Sequence, residues 1–90
     1  MLFMSIYTYE PEKRDEVLKR RAEGLFTPDG AKCIGQWSST AGGRAFTLFE
    51  VDNALIAAQW SQVWNDLGKL EVYPVVDTDE LMKAMAAARG

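Results

Sequence analysis

The feature that most restricts how these 90 residues can fold is the order of their hydrophobic periodicities. A stretch alternating with period two comes first, then a helical pattern, two more strand patterns, a second helical pattern, a fourth strand and a short helical tail. Right-handed crossovers and short connections turn that βαββαβ order into an antiparallel four-stranded sheet, ordered 4-1-3-2, with both main helices on one face. The other face is then uncovered in a single chain.

Leu2 to Thr8 alternates Leu2, Met4 and Ile6 with Phe3, Ser5 and Tyr7, and because both sets are largely apolar it reads as a central strand. Pro11 suits the first turn of a helix. Acids at Glu12, Asp15 and Glu16 precede bases at Lys19, Arg20 and Arg21, complementing the helix dipole, with Asp15 to Lys19 and Glu16 to Arg20 as i,i+4 pairs. Gly24 marks the end of that helix, and Thr27-Pro28-Asp29-Gly30 reads as a turn. Strands follow from Lys32 to Ser38 and from Arg44 to Val51, joined by a hairpin at Thr40-Ala41-Gly42-Gly43.

Asp52 is the expected N-cap of a helix running to Leu67, whose Ile56, Trp60, Val63, Trp64 and Leu67 form one apolar stripe of core packing. Gly68 closes it. Leu70 to Val76 is a fourth strand, placed at a sheet edge because Pro74 cannot donate a ladder bond. Asp77 with Glu80 has the spacing of a capping box before a short helix through Leu81, Met82 and Met85, which trails into an Ala-rich end.

Composition narrows the function classes. Ninety residues suit a single domain, residues 1–90, and a chain of this length buries only about 60 to 65% of its unfolded surface, so dimerisation would add needed burial. A net charge of −3, with most bases interleaved among carboxylates in the first helix, gives no footprint for nucleic acid or an anionic membrane. The apolar start, Met1 to Ile6, lacks a basic flank and is too short for a signal or a membrane span, so a cytoplasmic protein is expected. Cys33 is alone, which fits a reducing compartment, and in mid-strand it is expected to be a small buried hydrophobe. There is no histidine, which removes the commonest general base and metal ligand, and no calcium-type acidic loop. No metal and no cofactor are expected. Gly42-Gly43-Arg44 joins two strands and precedes no helix, so it is a hairpin rather than a phosphate loop.

If Leu2, Met4 and Ile6 face the helices, the open face carries Phe3, Ser5 and Tyr7, then Cys33, Gly35 and Trp37, then Phe46, Leu48 and Glu50, then Glu71, Tyr73 and Val75. So large an apolar face calls for cover, and a second copy of the chain is the expected partner. Two sheets closing face to face would surround Ser5, Tyr7, Trp37, Leu48, Glu50 and Tyr73, a mixture of apolar walls and a few polar groups of the kind that binds small molecules. Within it Glu50 is the candidate acid or base, since apolar surroundings disfavour a charged carboxylate, and Arg44 is its candidate ion-pair partner in the structural alternative.

Five segments carry a family resemblance: Met1-Leu2-Phe3-Met4, Gly35-Gln36-Trp37, Phe49-Glu50-Val51-Asp52, Trp60 to Trp64 with Asp66-Leu67, and Glu71-Val72-Tyr73-Pro74-Val75-Val76. With these the chain resembles the dimeric α/β-barrel superfamily of small ferredoxin-like proteins, and within it a short bacterial family known only as a domain of unknown function. The resemblance implies an α+β, ferredoxin-like βαββαβ unit with a short C-terminal helix that pairs into a dimeric α/β barrel. It implies a homodimer that holds a small apolar or aromatic molecule between sheet and helices. Two alternatives stay open: a cofactor-independent mono-oxygenase or isomerase, and a structural or regulatory dimer without a pocket. Haem-binding members of the superfamily usually depend on histidine, which this chain lacks.

Overall fold

The fold, taken from a computed structural model, is described for residues 1–23 and 28–89. Its elements are β1 (Leu2–Thr8), α1 (Arg14–Ala22), β2 (Ala31–Ser38), β3 (Arg44–Val51), α2 (Ala54–Gln62), β4 (Lys69–Val75) and α3 (Thr78–Ala88), and a 3₁₀ turn at Pro11–Lys13 leads into α1. The four strands form one antiparallel sheet in the order β2-β3-β1-β4. This is the ferredoxin-like α+β arrangement expected from the sequence, with Pro74 on an edge strand. Gly24 and Thr27 lie outside the described residues.

The register resolves the sheet into rows that cross all four strands. Cys33, Phe49, Phe3 and Pro74 share one row, Gln36, Thr47, Ser5 and Val72 the next, and Ser38, Ala45, Tyr7 and Leu70 the third. Phe3, Ser5, Tyr7, Ala45 and Phe49 are all buried, so these rows face the helices. The phase of β1 is thus the reverse of the sequence expectation: Leu2, Met4 and Ile6 face away, in rows with Glu50, Leu48 and Phe46. Both halves of β1 are apolar enough to be buried, so alternation alone could not choose between them.

A bulge between Cys33 and Gly35 in β2 makes a second correction. It puts Cys33 in register with inward-facing Phe49, while Gly35 and Trp37 pair with outward-facing Leu48 and Phe46. Cys33 is nevertheless exposed rather than buried, because β2 is the edge strand at the far side of the sheet.

Two aromatic clusters fasten the helices to the sheet. Phe3, Phe49, Val51, Ala57 and Trp60 form one, and Tyr7, Val17, Ala45, Trp64 and Leu67 the other. Ring contacts link sheet to helix in both, Phe49 to Trp60 at 4.8 Å and Tyr7 to Trp64 at 5.3 Å between centroids. Such pairs contribute about 0.5–1.5 kcal/mol each beyond area burial.

The helix ends differ in detail from expectation. Asn53, not Asp52, caps α2, its Oδ1 accepting from Ile56 N at 3.1 Å. The Asp52 N–H still donates to Gly30 O at 3.0 Å, which keeps that residue tied to the turn before β2 and starts the helix one residue later. After Gln62 the chain continues to Leu67 in tighter i→i−3 turns. Side chains add donors to the carbonyls here: Tyr7 Oη donates to Trp64 O at 2.9 Å, beside the longer bond from Leu67 N at 3.4 Å, and Arg20 donates to Val63 O at 2.9 Å. Gly68 is required where β4 begins, since a Cβ there would collide with the Thr8 carbonyl oxygen. In α1 the expected pairs to Asp15 and Glu16 give way, Lys19 lying 3.9 Å from Glu23 and Arg20 reaching across to Asp66.

α3 is capped as expected, with Asp77 Oδ1 accepting from Glu80 N at 3.1 Å. No residue of it is buried, and Leu81, Met82 and Met85 are 45%, 59% and 43% exposed.

Candidate functional site

The middle inward row is where the sheet is low. Ser5 and Thr47 lie between the bulky Phe3–Phe49 row and the row of Tyr7, so the helices above cannot close down on it. The result is a cavity with about 50 Å³ of water-accessible space, room for several waters where one needs about 10–15 Å³. Ser5, Thr47 and Gln36 line it from the sheet, Trp60, Ser61 and Trp64 from α2 and the turns after it, and Arg21 from α1. Tyr7, Phe49 and Leu70 complete the lining. A wider, shallower groove of about 330 Å³ adjoins it between α2 and β4, against Phe3, Ala57 and Val72.

Tyr7 and Arg21 are the ionisable side chains among the described lining residues. Burial, reinforced by the Asp66 carboxylate, pushes the Tyr7 hydroxyl above its ordinary value of 10.0, and its proton is already donated to Trp64 O. Tyr7 is therefore a neutral wall at physiological pH. The Ser61 hydroxyl is likewise committed, donating to Ala57 O at 2.7 Å. Arg20 and Arg21 approach the Trp64 ring with guanidinium carbons 5.7 and 5.1 Å from its centroid. Arg20 is held in a two-pronged pair with Asp66 at 2.7 and 3.0 Å. The hydrogen bond to Arg20 keeps the Asp66 carboxyl below its ordinary range.

The six residues singled out from the sequence do not come together. Ser5 and Tyr7 line the cavity, whereas Trp37, Leu48, Glu50 and Tyr73 belong to the opposite face. Trp37 and Tyr73 are about half exposed, and the Trp37 ring lies over Gly35, where an added Cβ would come within 2.7 Å of it. Glu50 is exposed, in register with Lys32. Arg44 is not its partner: the two sit six residues apart on one strand, about 20 Å. Tyr73 Oη instead donates to Glu71, which holds that carboxyl below its ordinary range and pushes the tyrosine up. Among the described residues no group of three or more His, Cys, Asp or Glu could hold a metal.

The model of the DUF3303 family, a domain of unknown function, matches residues 1–89. The chain belongs to that family. No curated protein matches it. Among solved structures, the DUF3303 chain is similar to Rv0793 from Mycobacterium tuberculosis with 13% identity and a TM-score of 0.48, over 84% of this chain and 94% of that one. No helix among the described residues is long and apolar enough to cross a membrane.

The sequence reading missed Arg21, Gln36, Thr47 and Ser61 as lining residues. The available signal was the pair of small polar residues at the middle of two strands, Ser5 and Thr47, opposite a helix carrying two tryptophans.

Proposed function

We propose that this DUF3303 chain is a homodimeric small-molecule-binding protein whose ligand, about one aromatic ring in size, sits between sheet and helices. The observation that carries the reading is the cavity over Ser5 and Thr47, with Trp60, Trp64, Tyr7 and Phe49 as walls and a few polar groups among them. Apolar walls with sparse polar groups supply affinity and orientation together. Binding rather than proton transfer is favoured because the described lining holds no carboxylate, thiol or imidazole to act as a base near neutral pH.

The dimer has separate support. The outward face joins Leu2, Met4, Ile6, Phe46, Leu48, Trp37 and Tyr73, and the apolar side chains of α3 are unpartnered. The accessible surface is 6394 Å² for 10.1 kDa, whereas a compact monomer of that mass exposes about 5,300 Å². That excess, about 1,100 Å², exceeds the roughly 800 Å² per partner of an ordinary stable interface. The radius of gyration agrees, 15.4 Å against about 12 Å for a compact chain of this length.

Native mass spectrometry of gently purified protein tests both parts. The expected spectrum is a dimer, with an added mass of one small organic molecule per chain that denaturation removes. A folded monomer speaks against the dimer. A ligand-free spectrum that persists through incubation with single-ring aromatics speaks against the pocket.

A further inference from the structure

Resting on that pocket reading, we infer that the ligand is an aromatic molecule bearing a negatively charged group, a carboxylate or its equivalent, and that Arg21 is the residue that selects it. Two neighbouring arginines reach the same tryptophan, and the structure treats them differently. Arg20 spends its charge within the protein, on Asp66. Arg21 has no carboxylate within ion-pair distance among the described residues. Its side-chain partner is the neutral Gln36 Oε1 at 3.3 Å, long for a bond from a guanidinium.

An arginine of intermediate exposure that lines an aromatic cavity with only an amide oxygen as side-chain partner leaves donors for an incoming anion. Its planar fork matches a carboxylate, and stacking against Trp64 holds the fork beside the space a ring would fill. Gln36 adds an amide that can turn to donate once its oxygen is released. Ser5 and Thr47 supply hydroxyls below. Trp60 and Trp64 face the ring itself, so the charged end and the apolar end of such a ligand each have a counterpart.

Benzoate and benzamide, nearly identical in shape and differing in charge, separate this inference from the pocket reading. Each is titrated into ¹⁵N-labelled full-length protein while the indole N–H peaks of Trp60, Trp64 and Trp37 are followed. The expected result is that both move the Trp60 and Trp64 peaks and leave Trp37 unmoved, with benzoate binding about tenfold more tightly. Arg21→Gln should remove that preference, weakening benzoate far more than benzamide and bringing the two affinities within a factor of about two of each other. Arg21→Lys, which keeps the charge but not the fork, should retain part of it. Equal affinities for the two probes in the wild-type protein overturn the anion assignment and leave the pocket standing. Failure of both probes to move Trp60 and Trp64 overturns both, and a preference that survives in a well-dispersed Arg21→Gln spectrum removes Arg21 from the role.

Discussion

Tyr7→Phe removes one oxygen from the centre of the molecule and leaves the ring in place. Tyr7 is 3% exposed, its ring packs on Trp64, and its hydroxyl donates to the Trp64 carbonyl at 2.9 Å from 57 residues away in sequence. That carbonyl lies where α2 has given way to tighter turns, so its other donor is the Leu67 N–H at a long 3.4 Å. Losing this buried hydrogen bond while the weaker one remains costs about 0.5–1.5 kcal/mol, a noticeable share of the roughly 5–15 kcal/mol that holds a domain folded. The substitution also changes the alkaline limb of stability. The folded-state value of Tyr7 is raised above 10.0, so below that value the hydroxyl is protonated folded or unfolded and its contribution is complete. Above it the unfolded chain loses the proton first, and the contribution falls away as pH climbs through the folded value. Urea melts at pH 7 should therefore show the variant less stable by about 0.5–1.5 kcal/mol, and the gap between the two proteins should narrow as pH passes 10. Equal stability at pH 7, or parallel profiles across pH 9 to 11, would refute the assignment of this bond as the tie between β1 and the α2 terminus.

Three further outcomes follow from the same geometry. Asn53→Ala should cost about 0.5–2 kcal/mol by thermal or urea unfolding and Asp52→Ala clearly less, because Asn53 makes the bond to Ile56 N; the reverse order would return the cap to Asp52. Cys33 should react with an aromatic disulfide reagent in the native protein at a rate within a few-fold of the denatured chain, as an exposed edge-strand thiol does, and strong native protection would contradict that exposure. Phe46→Glu puts a charge in the outward row beside Ile6 and Trp37, so gel filtration with light scattering should show a dimer for the wild type and a folded monomer for the variant. A variant that remains dimeric would move the interface elsewhere.

The fold was legible because its signals were local and redundant. Pro74 forbade a central position, Asp77 and Glu80 fixed the start of α3, and the glycines of the hairpin at Gly42 and Gly43 adopt the left-handed conformation their positions require. The site was less legible, and the cause is specific. Leu2, Met4 and Ile6 on one side of β1 and Phe3, Ser5 and Tyr7 on the other are both burial-competent, so alternation gives no ground for choosing between them. One extra residue at the Cys33–Gly35 bulge then gave β2 two phases, which no alternation rule carries. Trp60 and Trp64 were read correctly as packing residues, and that reading concealed that they also wall a cavity. The gap between two aromatic rows depends on cross-strand register, a relation between distant residues that strand-by-strand pattern cannot express.

The most direct test of where a ligand sits is a nuclear Overhauser measurement from the ring protons of bound benzoate to the aromatic side chains. Contacts to Trp60, Trp64, Tyr7 and Phe49, with none to Trp37 or Tyr73, are the result expected if the helix-side cavity is the site. Contacts to Trp37 and Tyr73 instead would contradict it and return the site to the outward sheet face.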